Sequence, residues 1–306
     1  MSTVSVVVPF YNRAGFIGRL LDSIADQIYP VSEIFIVDNG SSVVESEKAW
    51  SVITKHPVFD RVVYLSAMKR GNANIARNVG YDLAAARYVA FIDSDDWWTE
   101  NHLSDSVHIL EQTGKAGCYS GAYIHDLGGR RRVLSRNISD AKDLFEFMFC
   151  SKGVLTQSSS FVISKSLVAG RVRWDEGLKR SQDLDYFLNI EMNTAGWVYK
   201  STPQYNLDWD AGGAKGCIDG ASLVNFYRKW APFMNDNVKR TFLLKYVFVC
   251  RLRGLPVEQD WFVSELRNNK LVRFKDKFFV NRFFLKFLPI ILSVKELLSN
   301  RFNLAR

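Results

Sequence analysis

Four short apolar runs in the first third of the chain constrain its fold more than any other feature. Separated by stretches in which apolar residues recur at helical spacing, they occupy residues 4–9, 34–37, 62–65 and 88–92. Runs that are apolar throughout, rather than alternating with polar residues, predict strands that are covered on both faces. Strands and helices in alternation predict an open, mostly parallel sheet flanked by helices, so the predicted class is α/β.

The order of elements changes after residue 96. A predicted helix near residues 100–112 is followed by mixed helical and extended stretches, which include a basic hairpin at residues 128–132. A glycine-rich stretch at residues 211–217 lacks periodicity and predicts a loop. The first half is therefore of a type that binds nucleotides, and the mixed second half has room for another ligand.

Cysteine content and apolar length exclude several classes of protein. The four cysteines are about thirty residues or more apart and form no CxxC pair, which argues against a disulfide scaffold or a Cys/His metal site. No secretory signal is recognised at the start of the chain. No stretch reaches the ~20 apolar residues of a spanning helix. The longest, residues 283–294, is interrupted by Lys286 and Pro289. The sequence favours a cytoplasmic protein with reduced thiols.

Three polar clusters fall at the predicted ends of strands, at residues 10–13, 38–41 and 93–96. In open α/β sheets, ligands bind beyond the carboxyl ends of the parallel strands. The coincidence of three clusters at one predicted edge, rather than any single motif, indicates a binding site there.

The third cluster places the carboxylates of Asp93, Asp95 and Asp96 within four residues. Like charges this close raise one another's pKa, which is costly unless a cation is present. Carboxylate oxygens suit Mg²⁺ or Mn²⁺, and either ion can also bridge the phosphates of a substrate. The alternative is that Asp95 or Asp96 only caps the helix predicted near residue 100.

The motifs at these strand ends resemble those of family 2 glycosyltransferases. The resemblance extends over about residues 3–210 and lies in residues 4–13, 36–41, 76–80 (Ala-Arg-Asn-Val-Gly) and 91–96. It implies a GT-A fold, that is, a mostly parallel sheet flanked by helices, here with a C-terminal helical region. It also implies an enzyme that transfers a sugar, with inversion, from a nucleoside diphosphate sugar, most often a UDP-sugar.

The resemblance further implies which residues bind the sugar donor and its metal ion. Tyr11 would pack near the base, Asp38 would bind the base edge, and Arg77 would lie near the diphosphate. Asp93 would face the ribose and the metal, and Asp95 would be the direct ligand of Mn²⁺ or Mg²⁺. The full set is Pro9, Phe10, Tyr11, Arg13, Asp38, Arg77, Asp93, Ser94 and Asp95.

Two arginines offer positive charge to a leaving diphosphate. Arg77 is the stronger candidate and Arg70 the weaker one. Developing negative charge on a leaving group is stabilised by cations placed beside it. The alternative for both is a solvated charge on a helix face.

An inverting transfer needs a base that takes the proton from the acceptor hydroxyl. Asp183 matches the catalytic aspartate that the resemblance implies, and Asp185 is a weaker candidate for the same role. The alternative for Asp183 is a helix cap. Gln182 stands where the family more often has Glu, which removes a negative charge beside the acceptor.

Four residues are predicted on the acceptor side: Asp96, Trp97, Trp98 and Gln182. An indole ring stacks well on the apolar face of a sugar, which favours the two tryptophans as acceptor contacts. Ordinary core packing is the alternative for both of them.

Two departures from the family pattern narrow the expected activity. Asn39 replaces the second Asp that often follows the second strand, so only Asp38 is carried over. The Gln-x-x-Arg-Trp motif of processive synthases is absent. We therefore expect transfer of a single sugar to a glycan or lipid-linked glycan, in surface polysaccharide or lipopolysaccharide biosynthesis.

Two rival functions stay open at this level. A sugar nucleotidyltransferase uses a similar sheet, but it needs a glycine-rich phosphate loop after the first strand, and no glycine occurs here until Gly15. A non-catalytic nucleotide-sugar-binding or scaffold protein at the membrane is the other rival, and intact Asp93, Asp95 and Asp183 argue against it.

Positive charge is concentrated at the end of the chain. The formal net charge is +8, yet residues 1–238 carry 25 Lys and Arg against 27 Asp and Glu. Residues 239–306 carry 15 against 5, together with 12 aromatic residues. We therefore expect a catalytic domain at residues 1–215, with a nucleotide-sugar half at 1–98 and an acceptor half at 99–215. A basic helical region at residues 216–306 follows it.

The basic region is compatible with three roles. Residues 241–250 and 277–288 combine Lys and Arg with large apolar side chains at helical spacing, which favours an anionic membrane surface. Helices that pack with a solvated basic face are the alternative. Nucleic-acid binding is disfavoured because no recognised module is present. The expected location is the inner face of the cytoplasmic membrane, with residues 239–306 as the peripheral contact.

Overall fold

The structure is a computed structural model that describes residues 3–66, 72–126, 128–208, 219–273 and 276. The chain divides into two compact units. The first contains Met1–Phe147 and Ser151–Cys217, and the second contains Met148–Cys150 and Ile218–Arg306.

The first unit begins with the predicted alternation of strands and helices. Its strands are β1 (Val4–Phe10), β2 (Val31–Asp38), β3 (Val62–Ser66) and β4 (Tyr88–Phe91). The helices between them are α1 (Ile17–Ala25), α2 (Val43–Ile53) and α3 (Ala73–Leu83). β1 is buried at every position, as an uninterrupted apolar run predicts.

The mixed half of this unit contains shorter elements. In chain order they are β5 (Trp97–Trp98), α4 (His102–Thr113), β6 (Gly117–Ser120), β7 (Ala122–Asp126), β8 (Gly129–Val133), α5 (Leu144–Cys150), β9 (Val162–Ser164), α6 (Lys165–Val168), α7 (Gln182–Asn193), β10 (Trp197–Lys200) and β11 (Tyr205–Asp208). The sequence pattern predicts a strand over residues 159–164, but Ser158–Ser160 form a 3-10 turn and the strand is only three residues long. Ser159 Oγ accepts from the backbone of Asp93 and donates to Asp96, and Ser160 Oγ donates to the carbonyl of Gln157, so these bonds hold the serines in the turn.

The main sheet has seven strands in the order β10-β6-β9-β4-β1-β2-β3. β1 to β4 run parallel, with Val6 aligned to Ile34 on one side and to Ala90 on the other. β9 is antiparallel to both of its neighbours. The parallel order brings the carboxyl ends of β1, β2 and β4 together at one edge, where the three polar clusters follow them. The predicted sheet flanked by helices is confirmed.

A second sheet has the order β5-β11-β7-β8. Its first strand is the Trp97–Trp98 pair, which follows the acidic cluster directly and pairs with Tyr205 and Asn206 of β11. The basic hairpin predicted near residues 128–132 is the antiparallel pair of β7 and β8.

α3 lies close against the main sheet because it contains a glycine at the point of contact. A Cβ added at Gly80 would come within 2.5 Å of the Val7 side chain. The helix begins at Asn72, whose side chain accepts a hydrogen bond from the backbone of Asn74. This close packing fixes the part of α3 that contains Arg77.

The second unit is helical. It contains α8 (Gly220–Trp230), α9 (Asp236–Leu252) and α10 (Pro256–Asn268). Asn235 caps α9, and Pro256 occupies the first turn of α10. In α9, Phe242, Leu243, Tyr246, Val247 and Cys250 are buried, so the apolar side of residues 241–250 packs within this unit.

None of the helices in the described ranges combines the length and the apolar character that crossing a bilayer requires. The glycine-rich stretch at residues 211–217, the segment at residues 277–288 and Arg70 lie outside the described residues.

Candidate functional site

The loops that follow β1 and β2 are tied to each other by side chains of the predicted clusters. The backbone N–H of Asn12 donates to Ser41 Oγ at 2.9 Å, and the N–H of Ser42 donates to Asn12 Oδ1 at 2.8 Å. Asn12 adopts a left-handed conformation with φ 49°, which asparagine tolerates better than most residues. Two of the three sequence clusters therefore form one continuous loop surface.

Asp38, at the end of β2, is the anchor of this loop surface. Its Oδ1 accepts from the N–H groups of Gly40 and Ser41, and its Oδ2 accepts from Ser46 Oγ and Tyr64 OH at 2.6 and 2.7 Å. Burial by itself raises the pKa of Asp38, but these hydrogen bonds outweigh it and leave the pKa below its usual value. The carboxylate is thus held charged by the protein's own donors.

The residues after Pro9 differ in their exposure. Phe10 is fully buried, whereas the ring of Tyr11 is 51% exposed and faces solvent beside the Asp38 loop. Arg13 forms an ion pair with Asp95 of the acidic cluster. An exposed ring and a cation therefore lie at the edge where the resemblance places a nucleotide.

Each carboxylate of the acidic cluster has its own partner. Asp93 accepts from Arg77 at 2.7 Å, Asp95 pairs with Arg13, and Asp96 accepts from Ser159 Oγ at 2.5 Å. Asp95, Asp96 and Ser94 are buried, whereas Asp93 is partly exposed. The two arginines supply the positive charge that three neighbouring carboxylates require.

Arg77 connects the acidic cluster to the start of α7. Its guanidinium donates to Asn74 and Gln182 through one nitrogen and to Asp93 and Ser158 through the other, at 2.7–3.2 Å. The Arg77 side chain is 3% exposed, so it is not a solvated helix-face charge. The planar fork of arginine can make these bonds at once, which a lysine cannot do.

Asp183 lies at the start of α7. Ser181, two residues before it, has φ 59° and ψ 24°, a left-handed conformation that is uncommon for serine. Such backbone conformations cluster at functional sites because the surrounding structure must hold them. The turn places Gln182 against Arg77 and Asp183 beside Ser158.

The environment of Asp183 raises its pKa to about 6. The largest cause is burial, which disfavours the charged form. Arg77 opposes that effect, Asp93 adds to it as a neighbouring negative charge, and hydrogen bonds from Ser158 lower the pKa again. A carboxyl group with this pKa is poised to exchange a proton near neutral pH.

A cavity of about 420 Å³ opens beside Asp183. It is lined by Arg77, Asp93, residues 154–157 and residues 179–184. The predicted base, the predicted ribose-side aspartate and Arg77 therefore share one cavity. Its size suits a sugar-sized ligand.

Trp97, Trp98 and the second candidate base, Asp185, do not line this cavity. Trp98 is 3% exposed, stacks on His102 at 4.6 Å and donates its indole N–H to the carbonyl of Ser159, so it packs in the core. Trp97 is partly exposed and lies under the guanidinium of Arg19 at 3.8 Å. Asp185 is buried and accepts from Asn189, one turn along α7, rather than lining the cavity.

The donor set of Asp93 and Asp95 is suited to a hard divalent cation. Within the described residues, no group of three or more His, Cys, Asp or Glu side chains is placed to enclose a metal ion. Mg²⁺ and ions like it are commonly held by one or two carboxylates, with substrate phosphates and water completing the shell. Two carboxylates at the edge where a diphosphate is expected fit that pattern.

Several residues of the site are not part of any sequence motif. Ser158 bonds to Arg77 and Asp183, Ser159 bonds to Asp96 and to the backbone of Asp93, and Arg19 donates to the carbonyl of Asp95 at 2.7 Å. Asn72 and Asn74 donate to carbonyls of the turn at residues 175–178 that leads to α7. The sequence shows a run of three serines before β9, but nothing in it indicates which residues these serines contact.

Known relatives share this organisation. The model of the family described as glycosyl transferase family 2 matches residues 5–171. An amylovoran biosynthesis glycosyltransferase, AmsB of Erwinia amylovora, is 30% identical over 210 residues, which are 66% of this chain and 68% of the relative. The β-1,3-glucosyltransferase WfaP of Escherichia coli is 32% identical over 125 residues, 40% of this chain and 47% of that one.

Solved structures agree on the fold. S. aureus TarS, determined in complex with UDP-GlcNAc, superposes with a TM-score of 0.60 at 17% identity and covers 90% of this chain and 77% of the TarS chain. This similarity confirms the predicted GT-A-like arrangement. A family match over more than half of the sequence decides between the rival functions and sets aside the nucleotidyltransferase and the scaffold protein. The chain belongs to glycosyl transferase family 2 and is a glycosyltransferase.

Proposed function

We propose that this protein transfers a single sugar from a nucleoside diphosphate sugar, with inversion, to a glycan or lipid-linked glycan of a surface polysaccharide. The observation that carries the proposal is the position of Asp183. It lies in a sugar-sized cavity, it shares that cavity with Asp93 and Arg77, and its pKa is raised to about 6. A base of this pKa is mostly ionised at neutral pH and still accepts a proton readily.

We propose that the nucleotide lies against Tyr11 and the loop surface anchored by Asp38. The exposed ring offers a stacking face for a base. Gly40 and Ser41 are held by Asp38, so the edge beside the base is preorganised. UDP-Glc is part of the name of WfaP, and TarS was determined in complex with UDP-GlcNAc. Both support uridine as the base.

Asp95, with Asp93, would hold Mn²⁺ or Mg²⁺, which supplies positive charge to the leaving diphosphate when it is bound. Arg77 is held beside Asp93 by four hydrogen bonds and adds a fixed cation at the same place. Arg13 forms an ion pair with Asp95, and a bound diphosphate would compete with Asp95 for its guanidinium. Arg77 and Arg13 would thus add positive charge beside the leaving group.

The acceptor hydroxyl would enter the cavity from the side of Asp183. The carboxylate takes the hydroxyl proton while the hydroxyl oxygen bonds to the anomeric carbon, and the bond from that carbon to the diphosphate oxygen breaks. Attack from the face opposite the leaving group inverts the configuration. Ser158 and the turn at Ser181 hold the carboxylate in place during this step.

Residues 1–215 would form the catalytic domain, and residues 216–306 would bring it to the inner face of the cytoplasmic membrane. A net charge of +10 over residues 239–306 supports attraction to anionic lipid. The acceptor in the name of WfaP is a diphosphoundecaprenol-linked sugar, which supports a membrane-bound acceptor here. Because the apolar side of residues 241–250 packs within the helical unit, other residues of the basic region would contact the lipid.

A donor screen tests the proposal. The full-length protein is incubated with UDP-, GDP- and dTDP-sugars in Mn²⁺, Mg²⁺ or EDTA, and released nucleoside diphosphate is measured. We expect release from a UDP-sugar that stops in EDTA, and a product of inverted anomeric configuration by NMR. Release that persists in EDTA, or a product of retained configuration, contradicts the metal or the inverting part of the proposal.

A further inference from the structure

The helical unit contains a cavity of about 390 Å³ that the proposed transfer mechanism does not use. It is formed by the end of α8, the turn that follows this helix, the start of α9 and the second half of α10. Its lining residues are Tyr227, Arg228, Ala231, Pro232, Lys239, Trp261, Glu265 and Asn269. All of them belong to one compact unit, so the cavity needs no residue of the first unit.

Helical spacing brings an aromatic ring and two polar side chains of α10 to this cavity. Trp261, Glu265 and Asn269 are four residues apart, a spacing that places side chains on one face of a helix. Asn269 donates to Glu265 Oε2 at 3.2 Å and so occupies part of that carboxylate. On α8, the buried ring of Tyr227 lies 5.8 Å from the ring of Trp261. The wall therefore combines two aromatic rings with a single carboxylate.

Two cations line the cavity, and neither forms an ion pair with a carboxylate in the part of the chain that the structure describes. The Arg228 guanidinium lies 5.2 Å from the centre of the Trp261 ring. Stacking on an aromatic ring leaves the N–H groups at the edge of a guanidinium available to a ligand. Lys239 is half-buried, and no described residue accepts a hydrogen bond from its ammonium group. Because Lys239 lies near the start of α9, the helix dipole disfavours its charge rather than stabilising it.

The side chains of the lining offer more hydrogen-bond donors than acceptors. Besides the two cations, the indole N–H of Trp261 has no acceptor among the described residues. Burial and the negative charges of Glu265 and Asp236 raise the pKa of Tyr227 to about 12, so its hydroxyl keeps its proton at neutral pH. Asp236 does not line the cavity, which leaves two positive side chains and the carboxylate of Glu265 in the lining. A ligand that fits this set must therefore bring acceptor oxygens and negative charge.

We propose that this cavity binds the phosphate group of a small phosphate ester, with Arg228 and Lys239 as the anion contacts. The planar fork of an arginine can hold two phosphate oxygens, and a lysine ammonium adds a point charge for a third. The volume of about 390 Å³ has room for the ester group as well. The inference is independent of the sugar transfer, because the cavity lies wholly within the helical unit. Two sources carry this group: the headgroup of an anionic phospholipid and a soluble phosphate ester.

Two titrations of the full-length protein test the proposal and separate the two sources. In the first, binding of glycerol 3-phosphate is measured by calorimetry, with glycerol as the neutral reference. In the second, vesicles of phosphatidylglycerol and phosphatidylcholine in equal parts are added and the bound protein is measured by sedimentation, with pure phosphatidylcholine as the reference. We expect the wild-type protein to bind at least one of the two phosphate probes above its reference.

The Arg228→Gln/Lys239→Gln variant should bind that probe about tenfold or more weakly than its matched control, Lys245→Gln/Arg273→Gln. The control removes one lysine and one arginine that are exposed on the same unit and do not line the cavity. Losing two charges weakens the general attraction to anionic vesicles in both variants, so the difference between them reports on the cavity. The probe that shows the difference identifies the source. Circular dichroism checks that both variants fold.

Two results overturn the proposal. One is a wild-type protein that binds neither probe above its reference, and the other is equal binding of each probe by the two variants. Phosphate bound at Arg13 or Arg77 of the first unit would give the second result, because neither variant changes those residues. Vesicle binding that both variants keep equally leaves the general attraction to a membrane in place and removes only the cavity site. Release of nucleoside diphosphate from a UDP-sugar is measured separately and judges the sugar transfer.

Discussion

Asp38 belongs to the predicted donor side and Asp183 to the predicted acceptor side, and their environments shift the pKa of the carboxyl group in opposite directions. Asp38 accepts four hydrogen bonds from its own loop and from Tyr64, and its pKa is lowered. Asp183 is partly buried beside a second carboxylate, and its pKa is raised to about 6. Both groups are aspartates close to the end of a strand or the start of a helix. The comparison shows that burial and the surrounding donors, and not the residue type, decide in which direction the pKa of an aspartate is shifted.

The same contrast extends to the backbone around each residue. The Asp38 loop is held by hydrogen bonds to the Asp38 carboxylate and includes Gly40, whose φ of 90° suits the turn. The Asp183 turn contains a serine in a left-handed conformation next to an open cavity. The predicted donor side is thus held by hydrogen bonds, whereas the predicted acceptor side contains a left-handed turn next to a cavity.

The largest expected effect is on transfer by Asp183→Asn. An amide cannot accept the proton of the acceptor hydroxyl, so we expect kcat to fall by roughly 10²–10⁴ while the KM for the sugar donor stays within a few fold. The measurement is the rate of glycoside formation. Asp26→Asn makes the same chemical change at an exposed position and should transfer at the wild-type rate.

Asp185→Asn separates the two candidates for the base. Transfer that survives in Asp183→Asn and is lost in Asp185→Asn would move the base to the second position.

Replacing Arg77 tests the link between the two sides. Arg77→Gln leaves Asp93 without its cation, and we expect unfolding to become easier by roughly 3 kcal/mol, measured in urea. Because Arg77 lowers the pKa of Asp183, the acid limb of the pH–rate profile should also move to higher pH. An acid limb that stays at the same pH would show that the charge of Arg77 does not influence the pKa of Asp183.

Asp38→Ala probes the anchor. The hydroxyls of Ser46 and Tyr64 and two backbone N–H groups lose their acceptor, so a loss of roughly 2 kcal/mol in unfolding free energy is expected. The lowered pKa means that the stabilising effect of Asp38 is present above its unfolded pKa and disappears as the pH falls through its folded pKa. Wild type and variant should therefore converge in acid. Asp60→Ala, at an exposed position, should change stability by less than about 0.5 kcal/mol.

The smallest effect has the opposite sign. A raised pKa means that ionising Asp183 destabilises the fold, and this cost grows as the pH rises from 3.8 through about 6. The full shift corresponds to about 3 kcal/mol, and because Asp183 is only partly buried we expect Asp183→Asn to be more stable than wild type by about 1–2 kcal/mol at pH 7.5, with no gain below pH 3.8. Thermal unfolding across this pH range gives the answer, and an equal stability at both ends would argue against a dehydrated carboxylate.

Local pattern was enough to predict the strands β1 to β4, the edge where their polar clusters meet and the family. These predictions rest on runs of apolar residues and on motifs that occupy a few consecutive positions. The contacts that define the site join residues far apart in sequence, such as Arg77 with Ser158 and Gln182, or Asn74 with Asp175. No single-sequence pattern records such pairs.

The two tryptophans after the acidic cluster show the same limit. Tryptophan rings are suited to stacking on a sugar, yet Trp98 is buried against His102 and Trp97 lies under the guanidinium of Arg19. Alternation along β5 sends one ring into the core and leaves the other partly exposed. The sequence could not distinguish the two, because the side that faces the core is decided by the pairing of β5 with β11.

The central claim is that Asp183 is a base whose pKa the fold has raised. Its titration can be followed directly by NMR of the ¹³C-aspartate-labelled protein, with the resonance assigned by its absence in Asp183→Asn. A midpoint near pH 6 is the predicted result. A midpoint at or below the ordinary aspartate value of 3.8 would contradict the account, because Asp183 would then have no more affinity for a proton than an exposed carboxylate.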